Sequence, residues 1–239
     1  MKTRIIICLT SLILFNSCIV NSLFPFYTKD TISFEETFLG IWGGGKEGKE
    51  HQWSIISIKD GHNFVKERDT TTISKKDLAF YNKYKLGYWA VYKEKENLSF
   101  FIVMPFKINN QLFLDFITSN FGEDNLTSKH LVPTHSLAKF DILDDDTINI
   151  SWLSSKKIAK LIKENKIKIN HQKVGANDDE YLLTASSEEL QKFIKKYMTS
   201  NDEHKWKTDV KFNLKRTHSK EKSLEVLKVE LMELGGIFN

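Results

Sequence analysis

From Phe38 onward apolar residues recur at alternate positions in short runs, and clusters of turn-forming or charged residues close each run. Successive side chains of an extended strand point to opposite faces, so this alternation marks strands with one buried and one solvated side. Residues 53–58 and 63–71 flank Asp60-Gly61, a dipeptide suited to a two-residue hairpin turn. Residues 85–92 and 98–106 flank the charged turn KEKEN, and residues 111–118 and 131–142 follow. Ile148, Ile150 and Trp152 then alternate with Asn149 and Ser151. The pattern predicts about eight strands in an antiparallel sheet, curved or barrel-like.

Two stretches switch to helical spacing. Residues 155–164 place Ile158, Leu161 and Ile162 on one face, and residues 187–198 place Leu190, Phe193, Ile194, Tyr197 and Met198 on another. Ser186 and Glu189 have the spacing of a capping box, in which each side chain satisfies the other residue's backbone N–H. Near the C-terminus Leu224, Leu227, Leu231 and Leu234 form a narrow stripe, predicting a helix that packs on the domain, binds a partner or stays loosely ordered. Two heptads are too few to specify a coiled coil. Hairpin-joined strands with helices late in the chain indicate an α+β fold, mainly antiparallel sheet, rather than βαβ units. With three prolines, eleven glycines and no Ser/Pro or Gly/Ser tract, the chain lacks a flexible linker between independent domains.

The N-terminus carries an address. Lys2 and Arg4 precede an apolar stretch at 5–15, and Asn16-Ser17 close it, the layout of a secretory signal peptide. A membrane-spanning helix needs about 20 apolar residues, which this stretch does not reach. The sequence FNSC ending at Cys18 resembles a bacterial lipobox, although Phe15 and Asn16 stand where a leucine and a small residue are usual. Cys8 lies within the signal, so cleavage before Cys18 leaves a single cysteine, which cannot form an intramolecular disulfide. Acylation of that thiol would hold the protein on a membrane, because each buried CH₂ contributes about 0.8 kcal/mol and two or three chains give stable anchoring. The expected organisation is a signal at 1–17, a lipid-anchored tether at 18–36 that lies over the domain or beside headgroups, one β-rich domain at 37–217, and a helical tail at 218–239.

Blocks in order from Cys18 to Thr217, among them CIVNSLFPFYTKD, FEETFLGIW, HLVPTHSLAKFDILDDDTINISWL and LLTASSEELQKFIKKY, resemble a family of uncharacterised bacterial lipoproteins. The resemblance implies an envelope lipoprotein with one compact domain and no assigned activity. Gly40-Ile41-Trp42 early in the strand series, with Arg216 near its end, resembles the calycin or lipocalin-like pattern, which implies that Arg216 lies over the Trp42 ring as a cation–π lid.

The remaining residues exclude more chemistry than they suggest. Removing Lys2 and Arg4 lowers the net charge from +4 to +2, and the only arginines are Arg4, Arg68 and Arg216. A nucleic-acid reader would use more guanidinium forks. Residues 43–50, GGGKEGKE, match the glycine and lysine spacing of a phosphate loop but place Glu50 where a Mg²⁺-binding hydroxyl belongs, and a strand rather than a helix follows. His130 and His135 have an odd separation, opposite faces on a strand, with Pro133 between them, so they are not expected to share a metal. Asp144-Asp145-Asp146 and Asp178-Asp179-Glu180 lack the spacing of a calcium loop and read as solvated turns. No nucleophile elbow and no zinc motif is present, and no catalytic residue, metal or cofactor is assigned. The expected role is a non-enzymatic structural or protein-interaction module of the envelope. The alternative is lipocalin-like binding of a small apolar ligand.

Overall fold

The structure is a computed structural model and describes residues 19–44, 51–68, 74–118, 130–175 and 180–219, together with 221, 222, 225 and 226. The strands in chain order are β1 (Asn21–Ser22), β2 (Gly40–Gly44), β3 (His51–Ser57), β4 (Tyr88–Glu94), β5 (Asn97–Ile108), β6 (Gln111–Thr118), β7 (His135–Asp144), β8 (Thr147–Trp152), β9 (His171–Val174), β10 (Glu180–Leu183) and β11 (Lys211–His218). Strands β2 to β8 run as an antiparallel meander, β6 pairing with β7, and β11 fits between β8 and β2 to close an eight-stranded barrel. Closure removes the exposed edges that an open sheet would present. At the β5–β6 hairpin Asn109 and Asn110 both have positive φ, 48° and 64°, the geometry of a two-residue turn whose twist matches that of its strands.

Strand alternation sorts the apolar residues into two cores. Trp42, Trp53, Ile55, Tyr88, Phe116 and Phe140 belong to the set that fills the barrel. Their sequence neighbours, among them Ile102, Met104, Phe113, Ile117 and Leu137, face outward into a second core. That outer core is covered by α3 (Ser155–Lys163) and α4 (Ser187–Met198), through Ile158 on the first and Leu190, Ile194 and Tyr197 on the second. The capping box at the start of α4 is formed, with Ser186 N–H donating to Glu189 Oε2 at 2.8 Å and Glu189 N–H to Ser186 Oγ at 3.3 Å.

Between β3 and β4 the structure corrects the sequence reading. The Asp60-Gly61 hairpin and a strand at 63–71 were expected; instead α1 (Ile58–Arg68) and α2 (Lys75–Tyr84) occupy this stretch. Ser57 Oγ accepts the Asp60 N–H at 2.9 Å and Ser74 Oγ the Asp77 N–H at 3.1 Å, satisfying donors that a helix start leaves open. Gly61 is packed beside Trp89 and Ile56, where a turn at a hairpin tip would be solvated. Strand β7 begins at His135 rather than 131, just after Pro133, which has no N–H to give to a ladder.

Residues 19–36 are not a free tether. Ile19 bridges to Ser154, the Val20 N–H donates to Leu153 O at 3.2 Å, and Val20 and Phe26 are buried in the outer core. β1 pairs antiparallel with β7 and parallel with β10, so this segment belongs to the domain from its first described residue. The stripe at Leu224, Leu227, Leu231 and Leu234 lies outside the described residues, as do the signal peptide and Cys18.

Candidate functional site

One end of the barrel is shut by a polar lid over an aromatic floor. A 3-10 turn at Glu36–Phe38 precedes β2, and Phe38 inserts between Tyr88 and Phe140, with ring centroids 5.1 and 5.0 Å away. Trp42 Nε1 donates to Phe38 O at 2.9 Å, which ties this turn to the first barrel strand. Arg216, on β11 opposite Trp42, places its guanidinium 4.2 Å from the centre of the indole. Its Nη1 donates to Leu39 O at 2.6 Å, its Nη2 to Thr37 O at 2.8 Å and its Nε to Asp145 O at 3.2 Å. One side chain thus joins the entry turn, the first strand, the last strand and the β7–β8 hairpin.

Gly40 is part of the same cluster. Its φ of +131° is one that side chains rarely adopt, and a Cβ there would meet Arg216 Nη1 at 2.5 Å. The Asp144-Asp145-Asp146 run forms the hairpin turn that receives Arg216, with Asp146 N–H bonded to Asp144 Oδ1 at 3.0 Å and Asp146 O accepting the Arg216 N–H at 2.8 Å.

The opposite end carries half-buried aromatics. Tyr92 and His51 share a 2.7 Å hydrogen bond, and Trp53, behind them, touches Tyr92, Phe101, Phe116, Trp152 and Phe212. Burial, and then nearby Glu94, push the Tyr92 phenol up to about 12. Trp53 Nε1 is buried with no hydrogen-bond acceptor among the described residues.

Sequence reading passed over the Asp115–His135 pair. Asp115 lies on the outward face of β6, fully buried, with Oδ1 2.7 Å from His135 Nδ1 and Oδ2 accepting the Phe26 N–H at 2.6 Å. Burial raises the Asp115 carboxyl above its ordinary range, while His135 and the Phe26 N–H pull it down. The signal was a lone acid in the apolar run LFLDFI, since a charge buried on such a strand requires partners. The pair anchors the N-terminal segment to the barrel wall. His130 is exposed ahead of β7, away from the strand that holds His135.

Clefts on the outside of the barrel include a shallow one of about 550 Å³ beside Arg216 and Asp146, and two larger ones. One of about 1030 Å³ runs between α4 and residues 165–170 and includes Phe193, Lys196 and Ile169. The other, about 730 Å³, lies where the described chain begins and includes Ile19, Asn21, Thr134, Lys160 and Lys163. Among the described residues no cluster of three His, Cys, Asp or Glu side chains is placed to hold a metal. Residues 45–50 of the phosphate-loop-like stretch and Asp178-Asp179 lie outside the described residues.

Fold and site together define an eight-stranded antiparallel barrel whose first and last strands are locked by an arginine over a tryptophan. No protein-family model, curated protein or solved structure matches the chain.

Proposed function

We propose that this chain is an exported lipoprotein of a bacterial cell envelope, held on a membrane by acyl chains on Cys18, whose lipocalin-like barrel is a non-enzymatic structural or protein-interaction module. The observation that favours a structural or interaction module over a ligand-binding barrel is how the barrel is filled. Trp42, Trp53, Tyr88, Phe116, Phe140 and Trp152, each at most 4% exposed, occupy the interior where a ligand-binding barrel keeps its cavity. Gly40, Trp42 and Arg216 support the lipocalin-like assignment, and the basic, apolar and cysteine pattern of residues 1–18 supports the anchor.

Intact-mass spectrometry of membranes from a bacterial host, comparing wild type with Cys18→Ala, tests the reading. A mature chain starting at Cys18 with added acyl mass is expected, and Cys18→Ala should leave an unlipidated precursor. A wild-type chain cut elsewhere, or lacking lipid, overturns the proposal.

A second reading, binding of a small apolar ligand, has one observation in its favour. The Trp53 N–H, which has no acceptor among the described residues, belongs to a ring that packs against Tyr92 and Phe212 beside His51, and a ligand bearing an acceptor at this end of the barrel would complete it. Titration with a fluorescent fatty-acid analogue tests this; no saturable change in tryptophan emission would retire it.

A further inference from the structure

We infer that the face around β1 is a bilayer-docking surface, which presses the domain against anionic lipid instead of letting it swing on a leash. The inference rests on the proposed lipidation of Cys18 and adds to it an orientation. Its basis is the lack of slack in the chain. Consecutive Cα atoms are about 3.8 Å apart, and Ile19, the residue after the lipidated cysteine, is already bridged to Ser154. Val20 is bonded to Leu153 and buried. A thioether-linked lipid at Cys18 therefore enters the membrane within about one residue's reach of the folded surface.

The surface brought there has the character of a membrane contact. Ser22 is paired with His135, so Leu23 and Phe24 leave β1 at the same end from which residues 131–134 lead into β7. Leu23, Phe24, Leu131 and Val132 are 38, 47, 55 and 69% exposed, four of the eight large apolar side chains exposed among the described residues. Isolated exposed apolar residues need no explanation, but four that flank one end of the β1–β7 pair, close in sequence to the anchor, do. The cleft that Ile19 shares with Asn21 and Thr134 is bordered by Lys156, Lys160 and Lys163 and also by Glu164 and Glu180, with Lys160 paired to Glu164 at 3.8 Å, which leaves a small cationic excess to face anionic headgroups. Apolar side chains inserted at the headgroup boundary next to lysines are the combination by which interfacial segments hold a bilayer.

Site-specific fluorescence quenching in vesicles tests the inference. After signal removal and acylation of Cys18 the protein has no free thiol, so a cysteine introduced by Val132→Cys is the sole labelling site for a bimane dye. Leu143→Cys, at the far end of β7 and similarly exposed, serves as the control. Each full chain is purified from membranes, its acyl mass verified, and reconstituted in phosphatidylethanolamine/phosphatidylglycerol vesicles carrying nitroxide on the upper acyl carbons. Quenching at 132 several-fold stronger than at 143 is expected. Equal quenching at the two sites in acylated protein overturns the docking surface and leaves the anchor standing. If the label at 132 is shielded from aqueous iodide yet untouched by lipid nitroxide, a protein covers the face and the inference fails. Absence of acyl mass removes the anchor and the docking with it. Replacing phosphatidylglycerol by phosphatidylcholine should weaken quenching at 132; an unchanged signal overturns the part assigned to Lys160 and Lys163.

Discussion

Replacing Arg216 is the most direct probe of the locked barrel end. The guanidinium lies 4.2 Å from the Trp42 ring, and its side chain is 20% exposed, so the cation–π contact is largely desolvated and contributes about 0.5–2 kcal/mol. Its donors also satisfy Leu39 O and Thr37 O, and a hydrogen bond from a charged group contributes about 1.5–3 kcal/mol. Water can recover part of that loss at a barrel end, so Arg216→Ala should cost about 3–5 kcal/mol in total. The ion pair with Asp146, 78% exposed at 3.5 Å, adds little, and Asp146→Ala should cost under about 0.5 kcal/mol. Arg216→Lys keeps the charge over the ring but loses the fork that reaches two carbonyls, and should fall between, at about 1–3 kcal/mol. Urea unfolding followed by tryptophan fluorescence measures all three, with an unchanged m-value indicating an effect on stability alone. A loss below about 1 kcal/mol for Arg216→Ala, or equal losses for Arg216→Ala and Asp146→Ala, would refute the reasoning.

Asp115 should give an unusual pH dependence. Its carboxyl is raised above the ordinary 3.8 by burial, so the folded state holds this proton more tightly than the unfolded chain does. The stability it contributes relative to Asp115→Asn is fully present below pH 3.8 and declines as pH rises through the raised value. Unfolding of both proteins across the acid range checks this, and a difference that grows with pH would mean that attraction to His135 outweighs burial. Gly61→Ala separates helix from turn. In α1 a gain of about 1 kcal/mol in helix propensity opposes a new Cβ contact 3.3 Å from Trp89 Cδ1, so thermal unfolding should shift little. A large loss would indicate the left-handed backbone of a hairpin turn.

What the sequence made legible was whatever local chemistry decides alone. Alternation located β3 to β8, and the Ser186/Glu189 spacing located α4 to the residue, because a capping box is complete within one turn. The Trp42–Arg216 pair was legible only through its resemblance to a known pattern. At residues 57–61 the hairpin dipeptide Asp60-Gly61 was the signal read, whereas in the structure Ser57 Oγ accepts the Asp60 N–H at a helix start. Packing of Gly61 on Trp89 and Ile56 accompanies the helical outcome, and no local rule supplies that contact. Asp115 and His135 are 20 residues apart and meet across β6 and β7, so neither residue announces the other. The parallel pairing of Asn21–Ser22 with β10 joins segments about 160 residues apart, and a two-residue strand has no periodicity to read.

The lid over Trp42 also sets an order of assembly. The guanidinium that closes the barrel is 177 residues from the carbonyl of Leu39 that receives it, and the helices of the outer core are made in between. As the chain emerges from its N-terminus, the β2 edge must wait for β11 while seven strands have already had time to pair. During that interval Trp42 is bare and a backbone edge is open to any other strand in reach. The nascent protein is therefore most exposed to mispairing just before its last barrel strand arrives, and a truncation before Lys211 should make the domain aggregate.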